Sequence, residues 1–137
     1  MKRIDAVIVD IDGTVALMHN RTPFEWQKVD KDLPNYSIIE LVQNFGKYFQ
    51  IVFVSGRKEE CREKTLKWLK KYGMETDYLF MRANNDNRPD TELKKEILET
   101  SLKENFNIKY VLDDRNQVVK MWRDSGFTCL QVAEGDF

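Results

Sequence analysis

The sequence predicts an α/β fold with a five-stranded parallel sheet. Three observations predict it. Val- and Ile-rich runs with little polar alternation recur along the chain, as in strands covered on both faces. Stretches of helical apolar spacing separate them, the alternation expected of a parallel sheet with crossover helices. A length of 137 residues with 42% hydrophobic content and three tryptophans suits one domain, residues 1–137, around a single core.

"IDAVIVD" (4–10) reads as the first buried strand. "YSIIELVQNFGKYF" (36–49) places Ile38, Ile39, Leu41, Val42 and Phe45 at helical spacing, with Pro34 and Asn35 marking the start. "QIVFVSG" (50–56) is a second strand, and "KEECREKTLKWLKKYG" (58–73) an amphipathic helix with Leu66, Leu69 and Tyr72 inward and Gly73 at its end. "DYLFM" (77–81) is the third strand, followed by a polar loop, "RANNDNRPDT" (82–91), that contains Pro89. "ELKKEILETSLKENF" (92–106) reads as a helix and "IKYVLDD" (108–114) as the fourth strand. "NQVVKMWRDSG" (116–126) is a helix stopped by Gly126, and "FTCLQVA" (127–133) the fifth strand. No internal repeat, low-complexity tract or linker interrupts the series.

Composition excludes several roles. The 22 basic and 23 acidic residues nearly cancel, so a polyanion must be gripped locally rather than drawn by the whole molecule. Cys61 and Cys129 are too few for a disulfide framework and lack metal-ligand spacing; they read as two idle thiols of a reducing compartment. The opening "MKRIDAVIVDID" is too short and too often broken by aspartate for a targeting or membrane segment. A cytoplasmic protein with no membrane partner is expected.

In such a sheet, ligands gather beyond the carboxyl ends of the strands at the switch point of strand order. The first strand ends in Asp10 and runs on to Asp12, the second ends in "SGR" (55–57), and the fourth ends in Asp113 and Asp114. Lys94 and Lys95 lie near the start of the helix between the third and fourth strands. Carboxylates gathered in this way need a cation, and hard oxygen ligands suit Mg²⁺. The chemistry this indicates is phosphoryl transfer, with Asp10 as nucleophile and Asp12 as general acid and then base. Gly13 permits a sharp turn, Thr14 fixes the loop, Ser55 binds phosphate oxygens, and a lysine supplies positive charge.

The same residues carry a resemblance. "DIDGT" (10–14), "VSGR" (54–57), "LKKE" (93–96) and "VLDDR" (111–115) resemble, in order, the four motifs of the haloacid dehalogenase (HAD) superfamily of aspartate-nucleophile phosphatases. The resemblance implies a three-layer Rossmann-like fold with strand order 5-4-1-2-3. It also implies Mg²⁺ held by the Asp10 carboxylate, the Asp12 main-chain carbonyl and Asp114, with Asp113 assisting. "DIDGTVALMHNR" (10–21), "SGR", the loop from Arg82 to Asp90 and "LDDRNQVVKMWRDSGFTCLQVAEGDF" (112–137) further resemble the phosphatase domain of bacteriophage polynucleotide kinase/3′-phosphatase enzymes. That likeness implies removal of 3′-phosphate, and resolution of 2′,3′-cyclic phosphate, at DNA or RNA ends. By position it sets Thr14, Arg21, Gly56, Arg57, Arg82 and Asp90 on the substrate and Lys94 and Ser55 in catalysis.

Two departures stand out. The chain has no GxxxxGK[ST] loop, so no 5′-kinase activity is expected and a separate kinase or ligase is the implied partner. The segment between "SGR" and the third strand is shorter than in the phage domain. Neither gap, 15–35 or 74–91, is long enough for a separate cap, so the fold is expected to be essentially capless and its mouth open to a polymer end.

Plainer readings stand beside these. Asp90 alone reads as a cap for the helix from residue 92, Lys95 as a solvated neighbour, Arg82 and Arg88 as loop charges, and His19 as a surface residue. Pro23, Phe24 and Trp26 either pin the motif-one loop or stack on a terminal base, and Trp68 and Trp122 read as packing. Two other functions share the motifs: a nucleotidase for free nucleoside monophosphates, and an inactive HAD fold used for binding. Intact Asp10, Asp12, Lys94 and Asp114 argue against the second.

Overall fold

The computed structural model describes residues 2–137. Along the chain run β1 (Ile4–Val9), the short β2 (Ala16–Leu17) and β3 (Leu33–Pro34), α1 (Tyr36–Phe45), β4 (Gln50–Lys58) and α2 (Arg62–Lys71). Then come β5 (Leu79–Arg82), α3 (Asp90–Ile97), β6 (Phe106–Asp113), α4 (Asn116–Asp124) and β7 (Cys129–Gln131). The main sheet has the order β5-β4-β1-β6-β7, with every pairing parallel. Counting its five strands along the chain gives 5-4-1-2-3, the expected order.

Alternation along each strand builds three layers. Ala6 and Ile8 of β1 join Val52, Val54 and Val111 in one buried cluster, completed by Leu98, Leu102, Val118 and Trp122 from the α3 and α4 side. Val7 and Val9 point the other way, to Phe53 and Leu112, and are covered by Ile39 and Val42 of α1 and Trp68 and Leu69 of α2. Both faces are dry, which is why the strands read as continuous apolar runs. Cys61 and Cys129 are buried free thiols in opposite clusters. Burial raises both, that of Cys129 to about 12, so neither is poised as a nucleophile. No helix among the described residues is long and apolar enough to cross a membrane.

Several boundaries differ from expectation. β4 continues past Gly56 to Lys58, because an irregularity after Val54 lets Lys58 pair with Arg82 of β5; α2 therefore starts only at Arg62. α3 starts at Asp90, two residues early, because Pro89 with φ −54° leads directly into it. It then widens into a π-type turn, Leu98–Leu102, and β6 begins at Phe106. The antiparallel β2–β3 ribbon has no sequence periodicity, since each arm is two residues long.

Candidate active site

The site forms where β1 ends between β4 and β6, the point at which strand order reverses. Asp10 stays in register by donating its N–H to the Leu112 carbonyl at 2.9 Å. Beyond it the chain coils: the Ile11 carbonyl accepts from the N–H groups of Thr14, Val15 and Ala16 at 3.1, 3.0 and 3.0 Å. Gly13 has φ +80°, and a Cβ there would lie 2.1 Å from Asp114 Oδ2. Glycine is thus required both for the turn and for the space Asp114 occupies.

Two charged clusters share this loop. In the first, the buried Lys94 of α3 donates Nζ to Asp10 Oδ1 at 2.8 Å and Asp113 Oδ2 at 3.0 Å. Thr14 Oγ1 donates to Asp10 Oδ2 at 2.9 Å, and the Trp122 indole N–H to Asp113 Oδ2 at 3.3 Å. Asp113 Oδ1 accepts the N–H of Asp114 at 2.9 Å. Asp10, Asp113 and Asp114 each offer an oxygen within 4.8 Å of the others. Burial, then the charge of Asp113, holds the Asp10 carboxyl well above its ordinary range, and burial raises Asp114 too. Burial works against the Lys94 ammonium, yet Asp10 and Asp113 outweigh it and raise its pKa.

One ammonium cannot neutralise three buried carboxylates, and this excess of hard oxygen charge fits a small divalent cation such as Mg²⁺. Both oxygens of Asp113 already accept from protein donors. Asp114 is therefore better placed than Asp113 to ligate directly.

The second cluster centres on Asp12. Arg57 donates Nε and Nη2 to its two oxygens at 3.1 and 2.9 Å, and Arg21 donates Nη2 at 3.1 Å. Both arginines also bind Asp32: Arg21 through Nε and Nη2 at 2.7 and 2.8 Å, Arg57 through Nη2 at 2.8 Å. Arg57 Nη1 donates to Thr65 Oγ1 at 3.0 Å. Burial opposes both guanidiniums, but Asp12 and Asp32 raise their pKa nonetheless. Sequence reasoning placed Arg21 and Arg57 on the substrate. In the structure both side chains are fully buried with their donors turned to carboxylates, and they hold Asp12 instead.

The reason is Asp32, which sequence reasoning missed. It is 3% exposed, but in "VDKDLP" it reads as one more loop charge. Trp68, expected only to pack, donates its indole N–H to the Asp32 carbonyl at 2.9 Å. Trp122 likewise does more than pack, through its bond to Asp113.

A third group closes the β4–β5 side. Arg82 donates Nε to the Gly56 carbonyl at 2.8 Å and its other two nitrogens to the Arg88 carbonyl and Asp90 Oδ1, both at 2.5 Å. Arg115 approaches Asp90 Oδ2 at 3.4 Å. Asp90 is not a cap: Pro89 holds that position, and Asp90 is the first residue of the helix. Gly56 admits this contact, since a Cβ there would lie 2.7 Å from Asp90 Oδ1. Ser55 is buried, with its hydroxyl oxygen accepting the Arg57 N–H at 3.0 Å. Lys95 and His19 are exposed, as expected.

Asp10, Asp12, Lys94, Asp113 and Asp114 line a cavity of about 750 Å³, together with Gly56, Arg82 and Asp90. Thr14, Arg21, Ser55 and Arg57 are not among its lining residues. The arrangement sets one buried carboxylate, Asp10, beside an ammonium, and a second, Asp12, on a guanidinium clamp at the same opening.

The raised Asp10 and Asp114 carboxyls bind protons more tightly folded than unfolded. Without metal, their charges therefore destabilise the fold once pH exceeds the ordinary carboxylate range, and do not below it. Asp114→Asn should accordingly raise the metal-free melting temperature at pH 7 by roughly 4 °C, for about 1 kcal/mol of relieved burial cost and repulsion from Asp113, and by much less at pH 4. Mg²⁺ should raise the melting temperature of the wild type but not of the variant, as differential scanning fluorimetry would read.

The family model of the polynucleotide kinase PNKP phosphatase domain matches residues 4–137. The "Putative bifunctional polynucleotide kinase/RNA ligase" of Autographa californica nuclear polyhedrosis virus is 37% identical over 123 residues, covering 87% of this chain and 18% of that protein. A chain in the structure of the Pnkp1/Rnl/Hen1 RNA repair complex superposes with TM-score 0.94 at 37% identity, over 98% of this chain and 44% of the other. The class C acid phosphatase of Bacillus anthracis with tungstate bound has the same fold, with TM-score 0.59 at 14% identity, over 100% of this chain and 69% of the other. This chain thus spans less than half the length of the viral protein and of the repair-complex chain. With the match running from the first strand to the final residue, the chain belongs to the PNKP phosphatase-domain family of HAD phosphatases.

Proposed function

We propose that this domain removes the terminal 3′-phosphate from RNA ends with Mg²⁺, through a phosphoryl group carried on Asp10. The observation that carries the reading is the pairing of Asp10 with Lys94 in a cavity that Asp12 also lines. The names of the relatives, an RNA repair complex and a polynucleotide kinase/RNA ligase, support RNA as the polymer. They also support a ligase as the partner that uses the freed 3′-hydroxyl.

In the first half-reaction an Asp10 oxygen attacks phosphorus and the bond from phosphorus to the 3′ oxygen breaks, while protonated Asp12 gives that oxygen its proton. In the second, Asp12 takes a proton from water and the water oxygen attacks phosphorus. The bond to Asp10 then breaks, and inorganic phosphate leaves. Thr14 and Lys94 hold the two Asp10 oxygens, so the nucleophile cannot rotate away. Lys94 also places positive charge beside the transferring group. Mg²⁺ held by Asp10, Asp114 and the Asp12 carbonyl, with Asp113 behind, would supply charge neutralisation on the phosphoryl oxygens. Arg21, Arg57 and Asp32 act through Asp12, fixing where its carboxyl stands.

Between β1 and α1 the chain forms only the β2–β3 ribbon and a 3-10 turn, Trp26–Lys31. A mouth of this kind suits a strand end better than a small metabolite that must be enclosed.

Phosphate release with Mg²⁺ from matched RNA oligonucleotides tests the reading. The 3′-phosphorylated strand should react and the 5′-phosphorylated strand should not, and Asp10→Asn should abolish turnover. Faster turnover of a free 3′-mononucleotide than of the oligonucleotide would instead make the protein a nucleotidase.

Asp32→Asn removes one carboxylate from between two buried guanidiniums. It should lower kcat on 3′-phosphorylated RNA about tenfold or more, a part of the roughly 10²–10⁴-fold ascribed to general acid catalysis, and change KM little. Aryl phosphates with good leaving groups should be less affected, because they need no proton from Asp12. An equal loss on both substrates would remove Asp32 as a positioning residue.

A further inference from the structure

Residues 131–137 pass behind the turn that joins β6 to α4. Gln131 stands opposite Asp113 in the β6–β7 pairing, and the Val132 N–H donates to the Asp113 carbonyl at 3.1 Å. Three residues on, the buried Gly135 lies against the main chain of Asp114 and Arg115. A Cβ on Gly135 would stand 1.8 Å from the Asp114 carbonyl oxygen and 2.6 Å from both the Asp114 carbonyl carbon and the Arg115 Cα. Gly135 does not adopt the left-handed conformation, so space alone calls for glycine here. Every atom it meets is backbone, which cannot swing aside as a side chain would.

The turn depends on this segment for its hydrogen bonds. α4 opens at Asn116 behind Arg115, whose side chain makes no capping bond, and the Asn116 N–H is met instead by the Gly135 carbonyl at 2.9 Å. Gln131 donates Nε2 to the Asp114 carbonyl at 3.0 Å and to Asn116 Oδ1 at 2.6 Å. Arg115 fastens the far end of the segment: its Nε donates to the Phe137 carbonyl at 2.7 Å, and its guanidinium lies 5.2 Å from the centre of the Phe137 ring. On the other side of Asp114, Oδ2 fills the space that Gly13 leaves. Asp114 is seated between two glycines, one behind its carbonyl and one against its carboxylate.

We infer that residues 131–137 are a positioning element for the cation site, with Gly135 and Gln131 fixing the main chain of Asp114 so that its carboxylate meets that of Asp10. The inference rests on the Mg²⁺ reading of the site given above and extends it to residues that touch neither the cation nor the reacting atoms. A displaced Asp114 peptide carries its Cα and its carboxylate along, and the close fit at Gly13 leaves that carboxylate little room to turn back. Outer partners that orient a ligand in this way govern how tightly the metal is held.

The test titrates Mg²⁺ into the wild type, Gly135→Ala, Gln131→Leu and Glu134→Ala, reading the melting temperature without substrate and, separately, hydrolysis of an aryl phosphate. In Gly135→Ala and Gln131→Leu the Mg²⁺ midpoint should rise about tenfold or more in both readouts, the scale on which outer partners alter metal affinity. Hydrolysis should recover toward the wild-type rate at saturating Mg²⁺. Glu134→Ala, an exposed neighbour on the same segment, should keep the wild-type midpoint. If Gly135→Ala does not fold, Gln131→Leu decides alone. A lower metal-free melting temperature with an unchanged Mg²⁺ midpoint would overturn the inference and leave the segment a plain part of the fold. A wild type whose melting temperature and rate ignore Mg²⁺ would overturn the Mg²⁺ reading, and this inference with it.

Discussion

A single ammonium between two buried carboxylates organises this molecule. Lys94 crosses from α3 to Asp10 at the end of β1 and to Asp113 at the end of β6, tying the third crossover to the two central strands. Its burial would be prohibitive without those partners, and theirs without it. Three acids against one base still leave negative charge in a dry place, and the raised Asp10 and Asp114 carboxyls record the resulting tension. A protein selected for stability alone has no reason to build this; a site that must receive a cation and an anionic phosphoryl group does.

The neighbouring Asp12 solves a different problem. It stands two residues from Asp10 and lines the same cavity, yet Arg21 and Arg57 balance it and Asp32 balances them. Two carboxylates on one short loop are thereby set in different environments. Asp10 is held by an ammonium and a hydroxyl beside two further carboxylates, and Asp12 by two guanidiniums, so each carboxyl is fixed in place by its own set of partners. The loop between β1 and α1 then serves three ends: it turns at Gly13 to admit Asp114, carries Arg21 to Asp12, and carries Phe24 to the mouth of the cavity.

Much of this could be read from the residues. Buried strands announce themselves as apolar runs, and the strand-end rule leads directly to Asp10, Asp113 and Asp114, because parallel sheets place such positions side by side. Lys94 could be assigned by motif position but not by pattern, since a helix start exposes several faces. The roles of Arg21 and Arg57 were illegible because an arginine's partner is a matter of three dimensions. Asp32 faces them from the position just after a short 3-10 turn with no periodicity, among charges that look solvated. The extension of β4 to Lys58 was hidden for a similar reason: an irregularity after Val54 breaks the alternation on which strand reading depends.

The central claim is that Asp10 itself carries the phosphoryl group. Its most direct test is a rapid acid quench of the protein with RNA bearing a radiolabelled 3′-phosphate, followed by peptide mapping. The account predicts an acid-stable label that hydroxylamine releases, located on the peptide containing Asp10 and absent from Asp10→Asn. Turnover of the same RNA with no label on the protein at any quench time, and with activity retained in Asp10→Asn, would contradict it.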